Sequence, residues 1–327
     1  MKIKKLLPYL LISCLGAFLL YRIYGQVNLK ELIETFKEVR IEWVILATIA
    51  HLINHYLRAF RWQRLVAVQG YTLSVLDSFL GEMSGFLINL VPPRMGEWMR
   101  CVILKRLKGI PISVSFGGVI VERLLDISLF ILLFTFTVGL ELATGSKMLT
   151  SLWGRGTPMG DHKIYYVIGG GVAALLFLGL AYKWKAHLKQ IIWMKISAFV
   201  KDVMEAIRQM RRCNRLMLLS SSSFILFFNF LVEYLSFYAI EEINISYKGA
   251  LWVFIAMTVG MAIPSPGGLG TYHAGVMTVL LALGTEPKYA IAYTTITHSI
   301  QIFNAVVVGG LSFLTANVLA RRRKNEE

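Results

Sequence analysis

Apolar residues run in blocks near 6–24, 41–57, 75–92, 112–142, 164–182, 216–240, 249–285 and 289–318, with short polar stretches between them. A helix needs roughly 20 residues to cross a hydrocarbon core, and these blocks approach or exceed that length. Two of them are broken internally. One break reads Leu90-Val91-Pro92-Pro93-Arg94-Met95-Gly96-Glu97, the other Ala262-Ile263-Pro264-Ser265-Pro266-Gly267-Gly268-Leu269-Gly270. Proline lacks a backbone donor and clashes with the preceding turn, so neither block continues as one helix. Broken backbone at membrane depth must be buried in protein or face a polar cavity. One such break in each half of a chain points to the binding site of a transporter.

Composition agrees with the block pattern. The 327 residues are 56% hydrophobic and 16% charged, against about 45–50% and about 25% in soluble domains. The expected fold is all-α, a polytopic helical membrane protein. It would form a single flippase-like domain over 1–327, with halves 1–142 and 143–318 and a basic tail at 319–327. Cys14, Cys101 and Cys213 are far apart and imply neither a disulfide framework nor a zinc site. No nucleotide motif of the Walker type is present, and no cofactor is expected.

The net charge of +15 lies in particular loops, as the positive-inside rule describes, which argues against a nucleic-acid partner. The N-terminus resembles a signal peptide but lacks a clear small-residue cleavage site, so an uncleaved first span is expected. Lys2, Lys4 and Lys5 place it in the cytoplasm. Arg58, Arg61 and Arg64 follow the second block, and Arg94, Arg100, Lys105, Arg106 and Lys108 end the third. Both ends of the third block are then cytoplasmic, which predicts a re-entrant hairpin. The loop 183–215 carries nine Lys or Arg against Asp202 and Glu205, and the last span ends at Arg321-Arg322-Arg323-Lys324. Block 249–285 must therefore start and finish outside, as a second hairpin. About six full spans and two opposed hairpins result, with both termini cytoplasmic. Opposed hairpins are what an inverted repeat produces; the alternative is two ordinary spans kinked by proline.

Several ionisable residues fall at depth, where charge usually marks a pathway or ligand site. Arg94, Glu97 and Arg100 sit at three-residue spacing, on one face of any helix resuming after Pro93. Glu122, Arg123 and Asp126 share another face. A structural ion pair is the alternative for this second group, and headgroup anchoring for the first. Glu233 stands alone in its span, as a weaker candidate or a protonated packing residue. His51 and His55 have the spacing of two metal ligands, but Leu52 breaks the zinc-protease pattern, so packing or a polar lining is expected. Arg58, Arg61 and Trp62 read as an interface belt or a contact to anionic headgroups. Gly267, Gly268 and Gly270 free the backbone before Thr271-Tyr272-His273, and amides at such a helix start suit a phosphate. His298, Gln301 and Asn304 would line the same cavity or bond between helices.

Taken in order, Arg58-xx-Arg61-Trp62, Val91-Pro92-Pro93-Arg94-xx-Glu97-xx-Arg100, Glu122-Arg123-xx-Asp126 and Pro264-Ser265-Pro266-Gly267-Gly268-Leu269-Gly270 resemble the lysylphosphatidylglycerol synthase transmembrane-region family of flippase-like domains. The resemblance covers essentially the whole chain. It implies movement of aminoacylated phospholipid between leaflets; the expected partner is an anionic or aminoacylated phospholipid headgroup, in a bacterial inner membrane. The family's fused members carry a soluble aminoacyl-transfer domain, which is not expected after Glu327. An acidic residue commonly follows the family's glycine tract, whereas this chain has His273.

The expectation is thus a non-enzymatic lipid flippase or transporter. Arg58, Arg61, Arg94, Glu97, Arg100, Glu122, Arg123, Asp126, Gly267, Gly268, Gly270 and His273 would contact the lipid. Partners would be membrane lipids, with a homo-oligomer or an envelope-synthesis enzyme as further options. The alternatives are a non-transporting scaffold for envelope lipid or glycan enzymes and an intramembrane transferase using Glu97 with His273.

Overall fold

The computed structural model describes residues 27–92, 94–144, 212–263 and 265–326, together with single positions within 16–25 and 201–208. Block 164–182, most of block 6–24 and of the loop 183–215, Pro93 and Pro264 lie outside the described residues. All regular structure among the described residues is helical.

Helix α1 (Leu29–Lys37) is a short amphipathic helix that the apolar blocks do not predict, started by Asn28, whose side chain accepts from the Lys30 amide. Helix α2 spans Ile41–Ala67. It runs ten residues past the expected end at 57, because Arg58 and Arg61 are received by carboxylates of neighbouring helices. Helices α3 (Val75–Ile88) and α4 (Gly96–Lys108) form the first hairpin. Ser74 and Asp77 make a reciprocal capping box at the start of α3. Asn89 then turns back at the break, its side-chain oxygen accepting from the Gly96 amide at 2.7 Å. Lys108 Nζ lies 3.0 Å from Asp77 Oδ2, so the two open ends are adjacent.

Helix α5 covers Ile112–Ala143 and α6 covers Arg215–Phe237. A second hairpin pairs α7 (Tyr247–Ala262) with α8 (Thr271–Ala282), its tip formed by a short 3-10 turn at Pro266–Gly268. Helix α9 (Pro287–Glu326) is 40 residues long. It begins beside the open end of the second hairpin. Near its far end Arg323 Nη1 donates to the Leu107 carbonyl, at the open end of the first hairpin, at 2.8 Å. The hairpins therefore approach from opposite ends of α9, and their tips meet beside its first half. There His298 Nε2 is 2.8 Å from the Gly267 carbonyl.

Close approach at the first tip depends on missing side chains. A Cβ on Gly96 would sit 2.0 Å from the Gly85 carbonyl oxygen, and one on Gly85 would sit 2.6 Å from the Gly96 oxygen. Trp62 fills a slot between Gly81 and Gly118, whose Cβ atoms would lie 3.2 and 3.1 Å from its ring.

The polarity of the bundle is turned inside out. Arg61, Arg100, Glu82, Glu122 and Glu233 are buried, while Leu124, Ile131, Leu132, Phe136, Phe227, Leu311 and Leu314 are exposed. Soluble proteins seldom bury unpaired charge or present long apolar faces to water. By length and composition, Arg215–Phe237 and Pro287–Arg323 can each cross a membrane.

Candidate functional site

Four helices, α2 to α5, deliver a closed set of ion pairs. Arg100, on α4, binds Glu82 of α3 and reaches Glu122 of α5, with Nη2 2.5 Å from Oε2. Its guanidinium also lies 4.5 Å from the centre of the Trp62 ring, a cation–π contact. Arg58 Nε donates to Glu82 Oε1 at 2.8 Å. Arg61 Nη1 lies 2.7 Å from Asp126 Oδ1 and also donates to Ser222 Oγ of α6 at 2.7 Å. Arg123 closes the set, 3.2 Å from Glu97 and 3.7 Å from Asp126. Arg58, Arg61, Arg100 and Arg123 are thus matched by Glu82, Glu97, Glu122 and Asp126. A lone buried charge is costly, and pairing of this kind offsets the cost.

The set is graded from closed to open. Arg61 and Glu122 are 0% exposed, whereas the side chains of Arg123 and Glu97 are 34% and 28% exposed. The open end borders a cavity of about 610 Å³, which is also lined by His51, Arg94, Phe86, Glu233, Gly267 and His298. Both hairpin tips form its wall. Asn304, six residues beyond His298 on α9, donates to His51 Nδ1 at 2.9 Å.

Several expectations change here. Arg58, Arg61 and Trp62 do not form an interface belt; Arg61 and Trp62 are fully buried, and Trp62 Nε1 donates to the Ser115 carbonyl at 3.1 Å. Arg94 does not share a face with Glu97 and Arg100. Helix α4 starts at Gly96, and Arg94 sits in the turn before it with φ +68°. Its guanidinium donates across to the Ala262 carbonyl of the second hairpin. At the second break the amides of Gly267, Gly268 and Leu269 are not open to an anion, because they donate to the carbonyls of Asn89, Ser265 and Pro266. Gly270 is occupied from its other side: a Cβ there would lie 2.6 Å from Gly16 Cα.

His273 stands apart from the ion pairs. It lines a second cavity of about 450 Å³ with Tyr24, Leu269, Thr295 and His298. The two histidine rings are 4.8 Å apart, and His298 borders both cavities. Glu82, the central carboxylate, and Asn89, which ties both tips, are not among the residues expected at the site. Glu82 carried a signal close to that of Glu233, an acid inside an apolar block, although Asp77 shares its block.

The model of the lysylphosphatidylglycerol synthase TM region matches residues 6–309. The chain belongs to this family and is a membrane protein. A UPF0104 membrane protein of Methanocaldococcus jannaschii is 33% identical over 154 residues, 46% of this chain and 45% of that protein. A UPF0104 membrane protein of Pyrococcus horikoshii is 23% identical over 94% of this chain and 96% of its own length. The glycosyltransferase AglD of Haloferax volcanii is 25% identical over 84% of this chain and 49% of its own length. The matched part thus spans about half of the first and the last of these relatives. No solved structure matches the chain.

Proposed function

We propose that the protein carries a phosphate-bearing lipid, or a similar amphiphile with a polar headgroup, between the leaflets of the cytoplasmic membrane. The observation that carries this reading is the graded ion-pair set opening onto a cavity closed by two hairpin tips. A zwitterionic or anionic headgroup can enter by exchange at the open end. Its phosphate would take Arg123 and Arg94, while Glu97 and Asp126 receive any amine. Arg94 favours an anion, since its partner on the cavity wall is a backbone carbonyl rather than a carboxylate. Acyl chains would remain against the exposed apolar faces, outside the cavity.

The membrane arrangement is part of the same proposal. Six crossings and two re-entrant hairpins, with both termini in the cytoplasm, place Lys108 and Arg323 at the cytoplasmic end and the Glu241-Glu242 turn outside. The tips would then meet near the midplane, where broken helices hold substrate in other carriers. We propose carriage without covalent chemistry. Glu97 and His273, the pair an intramembrane transferase would use, line different cavities. A second reading, a scaffold for envelope-glycan enzymes, is favoured by the relative named as a glycosyltransferase.

The test is leaflet exchange of fluorescent phosphatidylglycerol in proteoliposomes. Wild-type protein should accelerate exchange, while Glu97→Gln and Arg123→Ala should abolish the acceleration. Equal exchange in empty and protein-containing vesicles would overturn carriage and leave the scaffold reading.

A further inference from the structure

We propose that Glu233 is a proton-binding site on the cavity wall and that its protonation is coupled to occupation of the headgroup site, a coupling that rests on the headgroup reading above. Glu233 is 1% exposed, lies about one turn before the C-terminal end of α6 and borders the 610 Å³ cavity. Its carboxyl is held by neutral groups. Tyr293 hydroxyl is 2.9 Å from Oε2, and Tyr272 hydroxyl is 3.4 Å from Oε1 and 2.6 Å from Thr297 Oγ1. Both tyrosines are fully buried. The other acids on the cavity wall, Glu82, Glu97 and Asp126, each have an arginine partner. Among the described residues no Lys or Arg forms an ion pair with Glu233.

Two phenol donors lower the cost of a buried carboxylate without cancelling its charge, and taking up a proton removes that charge. Ionisable groups in this position within membrane proteins commonly relay protons. An anionic headgroup brings negative charge into the same low-dielectric space and favours the protonated acid. By linkage, the protonated acid favours the anionic headgroup by the same factor. Each lipid carried would then take a proton with it.

Other groups around Glu233 set the field it responds to. Helix α2 faces the cavity with His51 and His55, and α5 with Arg123 and Asp126. Helix α5 also carries buried Glu141. Helix α8 contributes Tyr272 and α9 contributes Tyr293 and His298, while α7 lines the cavity with Phe254, Met257 and Thr258.

Infrared difference spectroscopy of the detergent-solubilised full chain, titrated with pH, reads the protonated acid directly. A carboxylic-acid signal should appear in wild type, vanish in Glu233→Gln, and move its midpoint upward when short-chain phosphatidylglycerol is added. Tyr293→Phe should also raise the midpoint, since it removes a donor that favours the anion. Lipid affinity should fall by up to about tenfold per pH unit across the titration and become flat in Glu233→Gln. An unchanged acid signal in Glu233→Gln overturns the proposal. If that variant does not fold, an unmoved midpoint in Tyr293→Phe overturns it instead. Absence of lipid binding at every pH overturns the headgroup reading and the coupling with it. The infrared signal still decides whether Glu233 holds the proton.

Discussion

The Gly267 amide donates to the Asn89 carbonyl at 3.3 Å, joining the tips of two hairpins that begin at opposite ends of α9. Leu90 packs at the same point: its Cδ2 lies 3.3 Å from where a Gly267 Cβ would stand. Alternating access in carriers of this general type comes from rocking one repeat against the other around a fixed site. On the proposed function, this contact must open in every cycle.

A disulfide across the tips should therefore stop transport. The Gly267 Cβ position is 3.7 Å from Leu90 Cα, near enough for a Leu90→Cys, Gly267→Cys pair to bridge. In a background lacking Cys14, Cys101 and Cys213, oxidation should abolish leaflet exchange and reduction should restore it. Exchange that continues in the fully oxidised protein would mean that the tips need not part.

The closed end of the ion-pair set should matter for stability far more than the open end. Arg100→Met leaves Glu82 and Glu122 facing each other without their shared partner. Breaking a buried pair costs about 3–5 kcal/mol. Arg123→Ala removes a half-exposed partner and should cost about 1 kcal/mol or less. Denaturant unfolding in detergent should rank them in that order. Comparable losses would show that the open pair is structural rather than poised for a ligand.

The contrast also shows what one dimension conceals. Both breaks and the Glu122, Arg123 and Asp126 group were legible, because proline chemistry and buried charge are local signals. The role of Arg58 and Arg61 was not. An arginine at the end of an apolar block looks the same whether it meets lipid headgroups or Glu82 and Asp126 on other helices. The glycine tract misled for a related reason: its first amide is taken by Asn89, far away in sequence. Helix α1 was hidden by its shortness and its charges, Lys30, Glu31, Glu34 and Lys37.

Gly96→Ala should disrupt the first hairpin. Its methyl group would sit 2.0 Å from the Gly85 carbonyl oxygen, with backbone that cannot rotate away. Overpacking of this kind typically costs about 1–3 kcal/mol, and this backbone clash falls at the upper end or beyond. Gly310→Ala, inside a helix with nothing within 4 Å, is the control and should melt at or slightly above the wild-type temperature. Matching thermal stability for the two variants would contradict the tight tip.

Arg94 offers a separation of stability from function. Its φ of +68° is a conformation that only glycine adopts without penalty. Holding a side chain there costs roughly 1–2 kcal/mol. Arg94→Gly and Arg94→Ala both remove the guanidinium, but only the first relieves the backbone. The glycine variant should thus be about 1 kcal/mol more stable than the alanine variant, after allowing for its looser unfolded chain. Both should lose leaflet exchange of anionic lipid alike. Retained exchange in Arg94→Gly would remove Arg94 from the headgroup site and leave its strained backbone without a functional reason.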